Sequence, residues 1–142
     1  MILVYVAGPY RAPTRWDVER NIRTAEERGL ELARHGAGRI VPVIPHTMYR
    51  HFDGCLDDAF FLEGTKELLR RCDALALLPG WELSTGTRGE LEEAEQLRLP
   101  IFWPTATADQ AKRILEYVEC VDLAQLRLLR ERRRSSERKE AA

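Results

Sequence analysis

Residues 2–7, ILVYVA, are six apolar residues in a row, part β-branched and part aromatic, and Gly8-Pro9 stops them. A strand with one wet face alternates apolar and polar side chains. A run that is apolar on both sides of the pleat belongs to a strand covered on both faces, as in a parallel sheet. Parallel neighbours cannot be joined by a tight turn and need a crossover, usually a helix. This one run therefore predicts helices alternating with further strands.

The rest of the chain supplies that alternation. A helix is predicted from about Trp16 to Arg34, with the stripe Val18, Ile22, Ala25, Gly29, Ala33 stepping by three and four and His35-Gly36 ending it. Arg39 to Ile44 reads as a short strand, and Pro42 within it suggests an edge position or an early end. Pro45 to Gly54 reads as a loop, and about Asp57 to Arg71 as a second helix. Asp73 to Leu78 is a third strand, a third helix ends near Leu97, and Ile101 to Trp103 is a fourth strand. Thr107 and Gln110 have capping-box spacing ahead of one or two C-terminal helices. The fold class expected is α/β, a parallel sheet of four or five strands with right-handed crossovers. At 142 residues this makes one domain. Its α/β core is placed at residues 1–104, a helical extension at 105–134 and a flexible basic tail at 135–142.

Net charge is −1, which gives no whole-chain field for nucleic acid or membrane. Gln125 to Ala142 carries seven basic and three acidic residues, read as a solvated helix end rather than a nucleic-acid arm. Cys55, Cys72 and Cys120 form no CxxC pair, so no zinc or disulfide framework is indicated. MILVYVAGPY is too short an apolar stretch for a signal peptide or a membrane span. Reduced thiols and a cytoplasmic location are expected.

In a doubly covered parallel sheet, ligands bind beyond the carboxyl ends of the strands, where strand order reverses. Three loops there carry unusual residues: AGPYR, PHTMYRHFDG and PGWELSTGTRGE. In the last, Ser84, Gly86 and Gly89 lead into a helix whose free N–H groups form an anion socket. Glu90 follows, and is either a helix-end acid favoured by the macrodipole or a reagent. Tyr5 is core, or a phenol that orients a carboxylate. Gly8 lets the backbone approach a ligand, and Arg11 can clamp a phosphate. His46, His51 and Asp53 have no standard metal spacing, so no metal is expected, and His46 is assigned to phosphate or base contact. Asp73 stands at the amino end of its strand, where it accepts backbone N–H bonds.

In their order and spacing, VYVAGPYR, NIRTAEE, RRCDALALLPGW, STGTRGELEEA and LPIFW resemble the nucleoside 2-deoxyribosyltransferase superfamily, most closely the branch of the 2'-deoxynucleoside 5'-monophosphate N-glycosidases. The resemblance covers most of Met1 to Pro104. It implies a Rossmann-like three-layer sandwich, a homodimer or larger homo-oligomer, a small nucleoside or nucleotide as substrate, and no cofactor. It also implies Glu90 as nucleophile, Tyr5 as the residue that orients it, and Ser84 and Arg11 on the 5'-phosphate. The implied reaction is cleavage or transfer of an N-glycosidic bond through a covalent glutamyl-deoxyribosyl intermediate. One position departs from the pattern. The family aspartate that helps protonate the leaving base falls on Thr65, which cannot do so at neutral pH. Glu63 lies about 200° around the helix and Asp58 about two turns along it, so neither replaces that aspartate in place. The alternative is a nucleotide-binding or sensing domain that kept the socket and lost the chemistry. A phosphoribohydrolase of the cytokinin-activating type, with its PGG-x-GT-x-x-E motif, fits less well because the Pro-to-Glu spacing here is longer.

Overall fold

The computed structural model describes the backbone of residues 1–142 and every side chain except those of residues 133, 137 and 140. Four strands, β1 (Ile2–Ala7), β2 (Ile40–Val43), β3 (Ala74–Leu77) and β4 (Ile101–Phe102), form one parallel sheet in the order β2-β1-β3-β4. The helices are α1 (Arg15–His35), α2 (Pro45–Met48), α3 (Asp58–Leu69), α4 (Thr85–Gln96), α5 (Thr107–Cys120) and α6 (Leu123–Glu140), with a 3-10 turn at Trp81–Leu83.

Strand β1 is central because its side chains suit both faces. Ile2, Val4 and Val6 pack with Ala25 and Leu32 of α1 and Ala111 and Ile114 of α5. Tyr5 and Ala7 pack on the other face with Leu69 of α3 and Leu91 and Ala94 of α4. Each large apolar side chain so buried contributes roughly 1.5–3 kcal/mol before chain entropy is counted. The result is the α/β, Rossmann-like three-layer sandwich expected, with four strands. Pro42 does sit on an edge strand, where its missing N–H leaves no interior ladder bond unmade. The α1 stripe buries Ile22, Ala25, Gly29 and Leu32, so Leu32 rather than Ala33 closes it. Gly29 is needed there: a Cβ on it would lie 2.4 Å from Ile44 Cδ1.

Two local readings change. Residues 45–48, expected as loop, are a four-residue helix that starts with Pro45 in its first turn, where the missing N–H costs nothing. The Thr107–Gln110 capping box does not form, since the N-cap is Ala106 and makes no side-chain bond. Gln110 Nε2 instead donates to the carbonyls of Leu77, Phe102 and Trp103 (3.2, 2.9 and 3.2 Å). Carbonyls at a buried strand end need donors more than an exposed helix lip does.

The basic C-terminal run lies on α6, which stays helical to Glu140. Several of its arginines face the amino end of the sheet. Arg127 donates to both Asp73 oxygens (2.8 and 2.6 Å), Arg130 to Asp73 Oδ1 (3.3 Å) and Arg134 to Glu67 (3.1 Å). No helix among the described residues is long and apolar enough to cross a membrane.

Candidate functional site

The crossovers diverge between β1 and β3. From β1 the chain passes by α1 to the edge strand β2, and from β2 it returns by α3, on the opposite face, to β3. That divergence leaves a crevice at the carboxyl ends of the strands. It holds a cavity of about 880 Å³, lined by residues from all three loops singled out in the sequence, Gly8–Arg11, Pro45–Tyr49 and Gly80–Glu90.

Glu90 lines this cavity and is held by Tyr5, which is not part of the lining. Tyr5 is the fourth residue of β1 and fully buried, and its hydroxyl donates to Glu90 Oε1 at 2.5 Å. Burial first, and then the neighbouring Glu90 charge, push the phenol well above its ordinary value, so it stays a donor. Glu90 lies in the second turn of α4, and the first turn holds no acidic residue. The cap is Ser84, whose Oγ accepts from Thr87 N at 3.2 Å. Glu90 is therefore not the helix cap. Its carboxyl opens to the cavity but is crowded on its other sides. That desolvation pushes it up to about 7, against the opposing pull of the Tyr5 hydrogen bond, the Thr65 hydroxyl and the Lys66 charge. Thr65 stands beside this pair, and its Oγ1 donates to Leu62 O at 3.1 Å.

The lip of the cavity is the start of α4. The Ser84 Oγ accepts from Thr87 N and from Thr87 Oγ1 (2.9 Å), which fills both lone pairs and leaves its own proton to donate. The N–H groups of the first helical residues, Thr85 and Gly86, have no partner within the helix. Donors and the positive end of the helix thus face the same space, which suits an anion. A Cβ on Gly86 would meet only ordinary contacts, Leu62 Cδ2 at 3.6 Å and Ser84 Oγ at 4.0 Å. Gly8 differs: a Cβ there would lie 2.5 Å from Leu78 Cδ1, so its bare α-carbon serves packing against the end of β3.

Arg11 reaches across the mouth and pairs with Asp58 of α3, both exposed. His46 lines the wall but is turned to the first loop. Its Nε2 is 3.1 Å from the carbonyls of both Gly8 and Pro9, which can only accept, so Nε2 carries the proton. Burial lowers its pKa, so the ring is neutral. Its Nδ1 is an enclosed acceptor without a partner. A neutral His46 braces the Gly8-Pro9 turn and offers a phosphate no donor. Asp53 accepts from Tyr10 at 3.2 Å, and His51 is exposed.

Three contributors were missed. Lys66 lines the cavity beside Glu90, its Cε 3.8 Å from where a Cβ on Gly89 would stand. Tyr49 and Phe61 form an aromatic wall, with ring centroids 5.1 Å apart. Gly64 permits it, for a Cβ there would lie 2.7 Å from the Tyr49 hydroxyl. The Phe60-Phe61 pair was a readable signal for a stacking surface. Lys66 gave none, because a lysine on a helix usually marks a solvated face.

Residues 2–103 match the model of a family described as a domain of unknown function (DUF7768). No curated protein matches the chain.

Proposed function

The chain belongs to that family, whose description names no activity, and from the site we propose that it cleaves or transfers the N-glycosidic bond of a 2'-deoxynucleoside or its 5'-monophosphate. The observation that carries this reading is the buried Tyr5 hydroxyl bonded to Oε1 of Glu90, a residue of the cavity lining. A carboxyl poised near neutral, fixed by a donor and open to a cavity, is suited to attack carbon. Glu90 attacks C1' as the base departs, giving a glycosyl ester that water or a second base then opens. The logic is that of retaining glycosidases. On the α4 lip, Gly86 lies roughly 6 Å and Ser84 roughly 9 Å from Glu90 along the helix axis. A 5'-phosphate held there by Ser84 and the Gly86 N–H, with Arg11 released from Asp58, keeps C1' against the carboxylate. Tyr49 and Phe61 offer the base an aromatic surface.

Intact-protein mass after incubation with deoxynucleosides and their 5'-monophosphates tests the reading. An added deoxyribosyl group, or its 5-phosphate, is expected on the wild type and not on Glu90→Ala. Because only the ionised carboxylate attacks, the rate of adduct formation should rise with pH and level off above about 7. Thr65, which offers no acid to the leaving base, favours a second reading as a nucleotide-binding domain. Ligand binding that survives Glu90→Ala, with no adduct and no free base from either protein, would establish that second reading instead.

A further inference from the structure

We propose that Lys66 is the proton donor to the departing base, a role that rests on the glycosyl-transfer reading above. Breaking a C–N glycosidic bond leaves an electron pair on a base nitrogen, so a donor near Glu90 is required. Most other polar side chains at the cavity are already engaged. Tyr5 donates to Glu90, Tyr10 to Asp53, and Arg11 to Asp58. The one protonated nitrogen of neutral His46 donates to the Gly8 and Pro9 carbonyls, and its other nitrogen is walled off. The Tyr49 hydroxyl lies over Gly64, about 200° around α3 from Lys66. Glu63, also at the cavity, is largely exposed.

Lys66 differs from all of these. Its stem packs along Gly89, immediately before Glu90, and its side chain is 29% exposed. Its nearest ion-pair partner among the described residues is Glu63, at 4.0 Å, which leaves the ammonium protons available. The stem meets α4 three residues beyond Gly86, roughly 4.5 Å along the axis, at the Glu90 end rather than at the anion-binding lip.

The step balances. A Glu90 oxygen forms a bond to C1' while the C1'–N bond breaks toward the base. One Lys66 N–H proton passes to the base nitrogen, leaving a neutral amine. In the second half, that amine takes a proton from water as the water oxygen bonds C1', and Glu90 departs as a carboxylate. Arginine cannot perform this relay, since it stays protonated throughout.

Lys66→Met and Lys66→Arg, each checked for an unchanged melting curve, are compared with wild type on two substrates. One is a 2'-deoxynucleoside 5'-monophosphate. The other is 4-nitrophenyl 2-deoxyriboside 5-phosphate, whose leaving group needs no proton. Both variants should lose about 10²–10⁴-fold in kcat/KM, which reads only the steps through base departure, on the nucleotide and less than about tenfold on the nitrophenyl compound. Equal losses on both substrates would overturn the proposal, as would retained nucleotide cleavage in Lys66→Arg. A rise in KM for phosphorylated substrates with kcat unchanged would make Lys66 a phosphate contact instead. If the wild type forms a Glu90 adduct and neither variant slows it, the lysine role alone falls. If the wild type forms no adduct from either substrate, the glycosyl-transfer reading falls and this role with it.

Discussion

Asp73, buried, and Glu90, half-buried, are carboxylates at opposite ends of one sheet, and the protein treats them differently. Asp73, 1% exposed, accepts from Leu3 N at 2.9 Å and from Arg127 and Arg130 of α6. Burial alone would raise its pKa, but those donors outweigh burial and hold it below the usual range. At Glu90 the same desolvation prevails over a phenol, a hydroxyl and a nearby ammonium, and the carboxyl sits near 7. A buried carboxylate with structural work alone is given full partners. One left short of partners, in a cavity, is where a ligand completes the set.

The largest effect expected is on turnover. Glu90→Gln should lower base release by about 10⁴-fold or more, as for loss of a nucleophile. Asp73→Asn, assayed where it is folded, should stay within about threefold of wild type. Comparable losses in both would show that the two carboxylates do not differ in role.

Stability should respond the opposite way. Asp73→Asn leaves Arg130, largely buried, short of its counter-charge, and should cost about 3–5 kcal/mol in urea unfolding. A loss under about 1 kcal/mol would mean that α6 is anchored by its other contacts. Arg134–Glu67 and Arg130 to the Cys72 carbonyl are the candidates.

A third effect depends on pH, with opposite signs at the two ends. The Glu90 folded-state pKa lies above its ordinary 4.5. Over that interval the folded state holds a proton that the unfolded state has released, so stability falls as pH rises from about 4.5 to about 7. Glu90→Gln should match wild type near pH 4.5 and exceed it above pH 7 by up to about 3 kcal/mol, at about 1.4 kcal/mol per pH unit. For Asp73 the folded value is depressed, so its contribution is present above the ordinary aspartate range and lost as pH falls through the folded value. Melting curves of both variants and wild type from acid to pH 8 check the two slopes. A flat difference for Glu90→Gln would mean that the carboxyl is not desolvated.

These contrasts also show what the amino-acid sequence made legible. β1 was readable to the residue because six apolar positions and a Gly-Pro stop leave one interpretation. Asp73 was readable as a backbone partner because it stands just before a buried strand, although Arg127 and Arg130 were not foreseen as its counter-charges. Their side chains looked like solvent-exposed members of a basic run, and only the docking of α6 decides otherwise. Gln110 was misread because a local rule, the capping box, competed with strand-end carbonyls distant in sequence. At the site, the glycines and hydroxyls of the α4 lip carried a clear local signal. The depth of Glu90, the neutral state of His46 and the approach of Lys66 are properties of packing between elements, which periodicity does not encode.

The smallest effect is the sharpest test of whether the carboxyl end was left open for a ligand. Gly8 and Gly86 both border the cavity, yet protein atoms fill the space over one and not the other. At Gly8 a Cβ would lie 2.5, 2.7 and 2.9 Å from side-chain atoms of Leu78, one of them its Cβ, which cannot swing away without the backbone. Gly8→Ala should therefore lose about 1–3 kcal/mol of stability, as overpacking does. At Gly86 the added methyl finds ordinary distances of 3.6 and 4.0 Å. Gly86→Ala should keep its stability or gain up to about 1 kcal/mol. If an anion sits on the α4 lip, the same methyl crowds it, and affinity for a 5'-monophosphate should drop by about tenfold, roughly 1.4 kcal/mol, while the unphosphorylated nucleoside binds as before. Calorimetric titration of both ligands reads this directly. Equal affinities for wild type and Gly86→Ala would move the anion off the lip and leave Arg11, once freed from Asp58, as the group to test for it.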